Sequence, residues 1–566
     1  MKASDLVAEF ISQKGVRYVF GITGGYIAHV FDSIDKHPKL DYICTNHEQA
    51  AAMAADGYSR VTGNIGVCIS TSGPGAANLI NGVLCAHFDS IPLLVITGQC
   101  PAKTITLNKE TRQRGFQEIR VKEIFKPFVK YSTIVMDSDD LLYELEKAYH
   151  IAISGRPGAV VIDIPDDIQR ADINPHTVRH YIANRLIEDE TSNFNMSLVE
   201  HYILSAKKPL FILGAGIRIG KESGGIKKII NYFNIPFVTT WGATDLFPFN
   251  HPLNIGNFGT IGSKYGNIAV QKADLLITMG TRLDEHATTS NLKTFGKDAR
   301  KIVIDIDSTE LQKLSDGGMR NTTYINTTVS SFFNDLLTIN KPQIRKKWIT
   351  YLQDLKNKYP ICKPIYKAEK DFVNPYVFLN SLSKYTDNHD IIITDAGANL
   401  AYTMQGYPVK MGQRLFSDFN NSSMGYSLPA SIGACIANNK RRIICIIGDG
   451  AFQMNVQELA VIKKHKLPIK IFVFNDRGYG MIKQTQDDWL NSRHVASTEK
   501  GGLAIANISD ITEAYGLKSE YMFMHKHLDK LPSVLQHPEG TVCDVIISPD
   551  HRITPKLTVG KELEEI

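Results

Sequence analysis

Strand-length runs of aliphatic and β-branched residues alternate with helix-length amphipathic segments along the whole chain. A strand covered on both faces reads as an unbroken apolar run, so the alternation predicts parallel sheets flanked by helices. Three blocks follow. The first, over 1–175, has apolar runs at 67–69, 93–96 and 160–164; the second, over 190–340, has them at 209–213, 275–279 and 302–306. The third, over 370–550, has strands at 391–394, 443–447, 469–474 and 542–547. The expected fold class is α/β, three doubly wound parallel-sheet domains in series. The polar, Lys-rich stretch 341–370 reads as a linker with a helix in it.

At 566 residues, 43% of them hydrophobic and 21% charged, the chain is too long for one core, which agrees with three domains. Its net charge of +5 is spread thinly over 63 basic and 58 acidic residues, so a nucleic-acid footprint is not expected. Asp5, Glu9 and Lys14 interrupt the amino-terminal segment, which therefore does not read as a secretion signal. No apolar run approaches the length of a spanning helix, so no membrane partner is expected. The eight cysteines form no CxxC pair, and the expected compartment is the reducing cytoplasm.

The third block carries the strongest chemical signal. One buried run ends in Gly448-Asp449-Gly450 and the next in Asn475-Asp476-Arg477-Gly478-Tyr479-Gly480. Both turns fall where open parallel sheets hold ligands, at the carboxyl edge. Glycines let a phosphate reach the backbone, and a carboxylate such as Asp449 is a hard oxygen ligand for Mg²⁺. One helix and one strand separate Asp449 from Asp476, so both can converge on one ion: a diphosphate-plus-metal site.

This arrangement resembles the motif of the thiamine-diphosphate enzymes, in which Gly-Asp-Gly is followed at a set distance by Asn-Asn at a strand end. The resemblance implies metal ligation by Asp449, Asp476 and the Gly478 carbonyl. This chain has Asp at 476 where the family has Asn, which adds negative charge beside the diphosphate. In the first block, Glu48 opens a small-residue helix, and Thr71-Ser72-Gly73-Pro74-Gly75-Ala76-Ala77-Asn78 forms a second strand-to-helix turn. Together they look like the family's pyrimidine-binding half, with Glu48 as the carboxylate that drives the aminopyrimidine to its imino form. The domains would be pyrimidine-binding, central and diphosphate-binding.

The closest form of the resemblance is to acetolactate synthase catalytic subunits. It rests on Asp89-Ser90-Ile91-Pro92, Gly115-Phe116-Gln117-Glu118, Gly155-Arg156-Pro157-Gly158, Asp163-Ile164-Pro165 and Met424-Gly425-Tyr426-Ser427-Leu428-Pro429-Ala430. It implies that Gln117 acts beside the thiazolium or substrate and that Met424 props the cofactor in a bent shape. The implied cofactor contacts are completed by Pro74, Asn78, Gly397, Ala398, Asn399, Ser422, Gly448, Gly450, Ala451, Tyr479, Gly480 and Met481. In the central block Gly214-Ala215-Gly216, Gly280, Arg282, Asp284, His286, Asp305 and Ile306, with Arg156, look like FAD-contacting turns, although Glu285-His286 stands where the family usually has Asp-Arg. FAD is thus expected beside thiamine diphosphate and Mg²⁺.

The implied reaction is decarboxylation of a 2-oxo acid such as pyruvate and transfer of the two-carbon fragment to a carbonyl acceptor. The implied assembly is a homodimer or homotetramer, with no indication of a regulatory subunit. The stretches 112–118 and 478–486 and the tail 553–557 look closer to a keto-sugar-modifying carboligase branch, and a flavin oxidase is the third reading. Thr485 stands where acetolactate synthases carry Trp, which predicts a wider, more polar acceptor pocket and weak preference for 2-ketobutyrate.

Overall fold

The computed structural model describes residues 1–106, 108, 110–174, 177–183, 194–558 and 560–566. Three six-stranded sheets, all parallel, follow one another along the chain. The first contains β1 (Tyr18–Gly21), β2 (Asp41–Cys44), β3 (Gly66–Ser70), β4 (Leu93–Gln99), β5 (Tyr131–Ile134) and β6 (Ala159–Pro165) in the order β2-β1-β3-β4-β6-β5. The second contains β7 (Pro209–Leu213), β8 (Phe237–Thr239), β9 (Asn254–Asn257), β10 (Leu275–Met279), β11 (Arg300–Asp305) and β12 (Thr322–Asn326) in the order β12-β11-β10-β7-β8-β9. The third contains β13 (Ile391–Thr394), β14 (Arg414–Phe416), β15 (Ile443–Gly448), β16 (Ile469–Asn475), β17 (Lys518–Met522) and β18 (Thr541–Ile546) in the order β14-β13-β15-β16-β18-β17.

The outer sheets share one topology, and the middle sheet has the dinucleotide-binding order, read from β9 to β12 as 3-2-1-4-5-6. The largely apolar runs behave as burial on both faces requires: every residue of β3, β4, β6, β7, β10, β13 and β16 is buried. β4 continues past its apolar run through Thr97 and Gln99, whose side chains donate to the buried Asp163 carboxylate on β6 at 2.6 and 3.0 Å. The run expected to reach 306 stops one residue short. Ile306 is turned out of the sheet and 41% exposed, and its carbonyl accepts from the Asn326 side chain.

The Lys-rich stretch is more than a linker. Its helix, Lys346–Lys358, buries Trp348 and Leu352 in the core shared by the second and third sheets, and the Trp348 indole donates to the Pro209 carbonyl at 3.0 Å. The sequence boundaries at 175 and 190 lie outside the described residues.

Helix Glu48–Thr62 of the first domain packs on helix Ser427–Ala437 of the third, and the sequence makes the contact possible through small residues. A Cβ on Gly57 would lie 2.2 Å from the Ala430 carbonyl oxygen, and one on Gly433 would lie 1.7 Å from that of Ala54. Backbone therefore touches backbone. The pairing of 57 with 430 and of 54 with 433 makes the two helices antiparallel. A contact at one end agrees: the Arg60 guanidinium, near the close of the first helix, lies over the ring of Tyr426, at the start of the second. Each helix starts at the carboxyl edge of its own sheet, so those edges face opposite ways within one chain.

Candidate functional site

In the third sheet, β13 connects outward to β14 and β15 connects the other way to β16, which makes the gap between β13 and β15 a switch point. Two turns meet there. Gly397, at φ +100°, leads into helix Ala398–Gly406, and Gly448 leads into helix Asp449–Met454. Asn399 fixes the first turn by donating to the Asp395 carbonyl at 2.8 Å, and its Oδ1 lies 3.3 Å from where a Gly448 Cβ would be. The Tyr479 ring covers Gly450 so closely that a Cβ would meet it at 2.2 Å. Ala451 is buried beside them, and Gly480 abuts both Ala398 and the Asp476 carboxylate.

The two acidic residues expected to share a metal are brought together. Asp449 accepts from its neighbour Gly450 at 2.8 Å and, across the strands, from the Gly478 amide at 3.0 Å. Burial and then the Asp476 carboxylate push Asp449 well above the usual carboxylate range. Burial also raises Asp476, against the pull of the Lys483 ammonium. Two buried carboxylates that disfavour each other's charge, next to the backbone of a glycine turn, are a donor set that suits a hard divalent cation. Among the described residues no group of three His, Cys, Asp or Glu side chains could hold a metal, so this pair and the backbone are what such an ion would use.

The first domain gathers the other candidates. Glu48 starts its helix, and the His47 side chain caps it by accepting from Gln49. Glu48 Oε2 accepts from the Asn78 amide at 2.9 Å, and Oε1 lies 3.3 Å from a Cβ built on Gly75. Pro74 opens the short helix that carries Asn78. Gln117 adopts φ +55° and lies against Gly73, its carbonyl 2.9 Å from a Cβ built there. Glu48, Pro74, Asn78 and Gln117 thus form one edge cluster. Within one chain it is separated from Asp449, because the edges of the first and third sheets face opposite ways. Met424 is partly buried against the core that joins these two domains, and Ser422, at φ +54°, precedes it.

A cavity of about 1990 Å³ lies between the three domains. Arg156, Ala215, Gly216, Gly280, Arg282, Asp284, His286, Asp305 and Ile306 line it, and Gly397, Ser422 and Met481 connect it to the third-sheet edge. Gly214 sits just behind the wall, where its missing Cβ lets β7 and β10 close up against the Gly280 carbonyl. Arg156 donates to Asp307 and Glu310 at 2.9 Å and to Ser90 at 2.8 Å. Arg282 donates to Asn420 at 2.6 Å, the Asp284 side chain caps helix Glu285–Thr288, and His286 lies 3.3 Å from the Thr260 hydroxyl. Burial raises Asp305 above the ordinary carboxylate range.

Two side chains escaped the sequence reading. Glu458, pushed up to about 7 by burial, accepts from the Asn46 amide at 3.0 Å and so ties the turn that presents Glu48 to the third domain. Lys483 is buried against Asp476. Thr485 is expected from the sequence to make the acceptor pocket wider and more polar. Its hydroxyl donates to the Met481 carbonyl at 3.1 Å, inside its own helix, so it could offer a pocket only its acceptor lone pairs.

Three family descriptions match the chain in order. They are the thiamine pyrophosphate enzyme N-terminal TPP binding domain over 1–124, the central domain over 197–329, and the C-terminal TPP binding domain over 395–545. The chain is 31% identical over 560 residues to the acetolactate synthase isozyme 1 large subunit of Escherichia coli (strain K12), covering 98% of this chain and 96% of that one. It is 30% identical over 569 residues to the acetolactate synthase large subunit of Lactococcus lactis subsp. lactis (strain IL1403), covering 100% and 95%. It is 32% identical over 564 residues to that of Pyropia yezoensis, covering 97% and 92%.

Proposed function

The chain belongs to the thiamine pyrophosphate enzymes, and on that premise we propose that it decarboxylates pyruvate and ligates the two-carbon fragment to the carbonyl of a second 2-oxo acid. The observation that carries this is the third-sheet switch point, where Asp449 and Asp476 converge beside glycine turns. The likeness to acetolactate synthase large subunits over nearly the whole chain favours a 2-oxo acid acceptor over a keto-sugar or oxygen.

When bound, thiamine diphosphate supplies a thiazolium able to hold the electron pair that CO₂ leaves behind. Asp449, Asp476 and the Gly478 carbonyl would hold Mg²⁺, and the amides opening helix Asp449–Met454 would face the diphosphate. Glu48, held by Asn78, would exchange a proton with the pyrimidine ring nitrogen. Gln117 would position substrate from the turn over Gly73. Met424 and Met481 would supply apolar wall that keeps water from the reacting carbon.

A chain whose Glu48 and Asp449 edges face apart completes a site only with a second copy, so the reading includes a homodimer or a tetramer built from it. The interdomain cavity would take FAD: its sheet has the dinucleotide order, and the glycine turns after β7 and β10, at the switch point of that order, line the cavity through Gly216 and Gly280. No helix among the described residues is long and apolar enough to cross a membrane. All eight cysteines are free, which suits a cytosolic enzyme.

The test is mass spectrometry of products after the purified chain meets pyruvate alone and pyruvate with 2-oxo acids, aldehydes and nucleotide-linked keto-sugars. The reading expects acetolactate from pyruvate alone. Product only with a keto-sugar, or acetate with peroxide, would overturn it.

A further inference from the structure

Lys483 is 2% exposed, on the inner face of helix Gly480–Trp489. Its ammonium lies 2.9 Å from Asp476 Oδ2 and donates to the Asp476 carbonyl oxygen at 3.1 Å, so both polar contacts go to one residue. A Cβ built on Gly478 would be 3.5 Å from the same nitrogen, which places the ammonium inside the turn formed by 476–480. Two other nearby cations are engaged elsewhere, Arg552 by Asp487 at 2.6 Å and Arg477 by Glu499 at 3.0 Å. A lysine is kept this dry only where its charge is matched, and the match here is the residue that departs from the family's Asn.

We propose that Asp476 and Lys483 form one neutral unit that stands in for the family's single uncharged ligand, with Lys483 as the counter-charge that lets a second carboxylate sit beside a diphosphate. The proposal rests on the thiamine diphosphate and Mg²⁺ reading above. The pair cancels, so the net charge offered to metal and diphosphate is that of Asp449 alone. Removing Lys483 would leave two uncompensated carboxylates, which attract a bare divalent cation more strongly and repel the diphosphate. Replacing Asp476 by Asn would leave a buried ammonium, which does the opposite. These effects differ in sign, whereas loss of a merely structural lysine weakens both ligands together.

The experiment uses the full chain without substrate. Binding of Mn²⁺ alone is followed by electron paramagnetic resonance, and binding of thiamine diphosphate at saturating Mn²⁺ by calorimetry. In Lys483→Met, Mn²⁺ alone is expected to bind about fivefold or more tighter and thiamine diphosphate about fivefold or more weaker, as expected for an unscreened charge. Asp476→Asn reverses both signs, the double variant Asp476→Asn/Lys483→Met returns both to within about twofold of wild type, and Lys483→Arg keeps both because it keeps the charge. Weakening of both ligands in Lys483→Met, or no recovery in the double variant, overturns the proposal while leaving the cofactor assignment intact. Failure of the wild-type chain to bind thiamine diphosphate at all would remove the assignment itself, and the proposal with it.

Discussion

Glu48→Gln and Asp449→Ala together test whether the two half-sites come from different chains. The glutamine keeps the length of Glu48 and a partner for Asn78 but cannot exchange a proton with the pyrimidine, and general acid–base catalysis contributes about a hundredfold or more. That corresponds to about 2.7 kcal/mol of barrier. Asp449→Ala removes the carboxylate that accepts from the Gly478 amide at 3.0 Å, together with a hard ligand for the metal. Each variant alone is expected to be nearly inactive. In a mixed, re-equilibrated sample half of the dimers are hybrids, and each hybrid has one site with an intact Glu48 from one copy and an intact Asp449 from the other. Recovery should approach about one quarter of wild-type activity per chain. The assay is pyruvate turnover before and after exchange, with hybrids counted by native mass spectrometry. Hybrids that form but are no more active than the separate variants would refute the reasoning from the antiparallel helix pair.

Three further outcomes are expected. Gly433→Leu must displace backbone, because even its Cβ would lie 1.7 Å from the Ala54 carbonyl; overpacking of this kind costs about 3 kcal/mol or more, and an unchanged melting temperature would contradict the helix crossing. Burial raises Asp163 from 3.8 to about 7, so its contribution to stability is full below about pH 4 and is lost as pH rises to about 7, a change of roughly 4 kcal/mol. Asp163→Asn should therefore lose less melting temperature than wild type between pH 5 and pH 8, although the buried Asp56 and Asp395, each raised to about 6, keep part of the slope. Thr485→Trp restores apolar bulk and should raise selection of 2-ketobutyrate over pyruvate as acceptor by about tenfold, of the order a hydrophobic pocket provides; unchanged competition between the two would show that position 485 does not face the acceptor.

Sheets and turns were legible in the sequence because their signals are local. A strand buried on both faces is mostly apolar, and a glycine turn with an acidic residue at a strand end marks a ligand edge wherever the sheet sits. What was not legible depends on partners far away in the chain. The Asn46–Glu458 bond joins residues 412 positions apart, and nothing near either one announces it. Lys483 reads as a solvent-facing lysine on a polar helix until the fold turns it onto Asp476. The small residues of helix Glu48–Thr62 were visible in the sequence, but neither the close approach they allow, nor the partner, nor the antiparallel sense was read from them. Trp348 likewise lay in a stretch whose lysines hid its apolar face. At Thr485 the substitution was visible, and only the helix geometry shows that its hydroxyl is already bonded.

The most direct test is to give the purified chain, with thiamine diphosphate and Mg²⁺, pyruvate carrying carbon-13 at both C1 and C2, and to follow the two carbons in one tube by nuclear magnetic resonance. The account predicts that half of the consumed C1 appears as CO₂ and half in the acetolactate carboxylate while all of the consumed C2 appears in acetolactate, with one CO₂ per acetolactate formed and neither product when Mg²⁺ is chelated. CO₂ accompanied only by acetaldehyde or acetate, or no release of C1 at all, would contradict it.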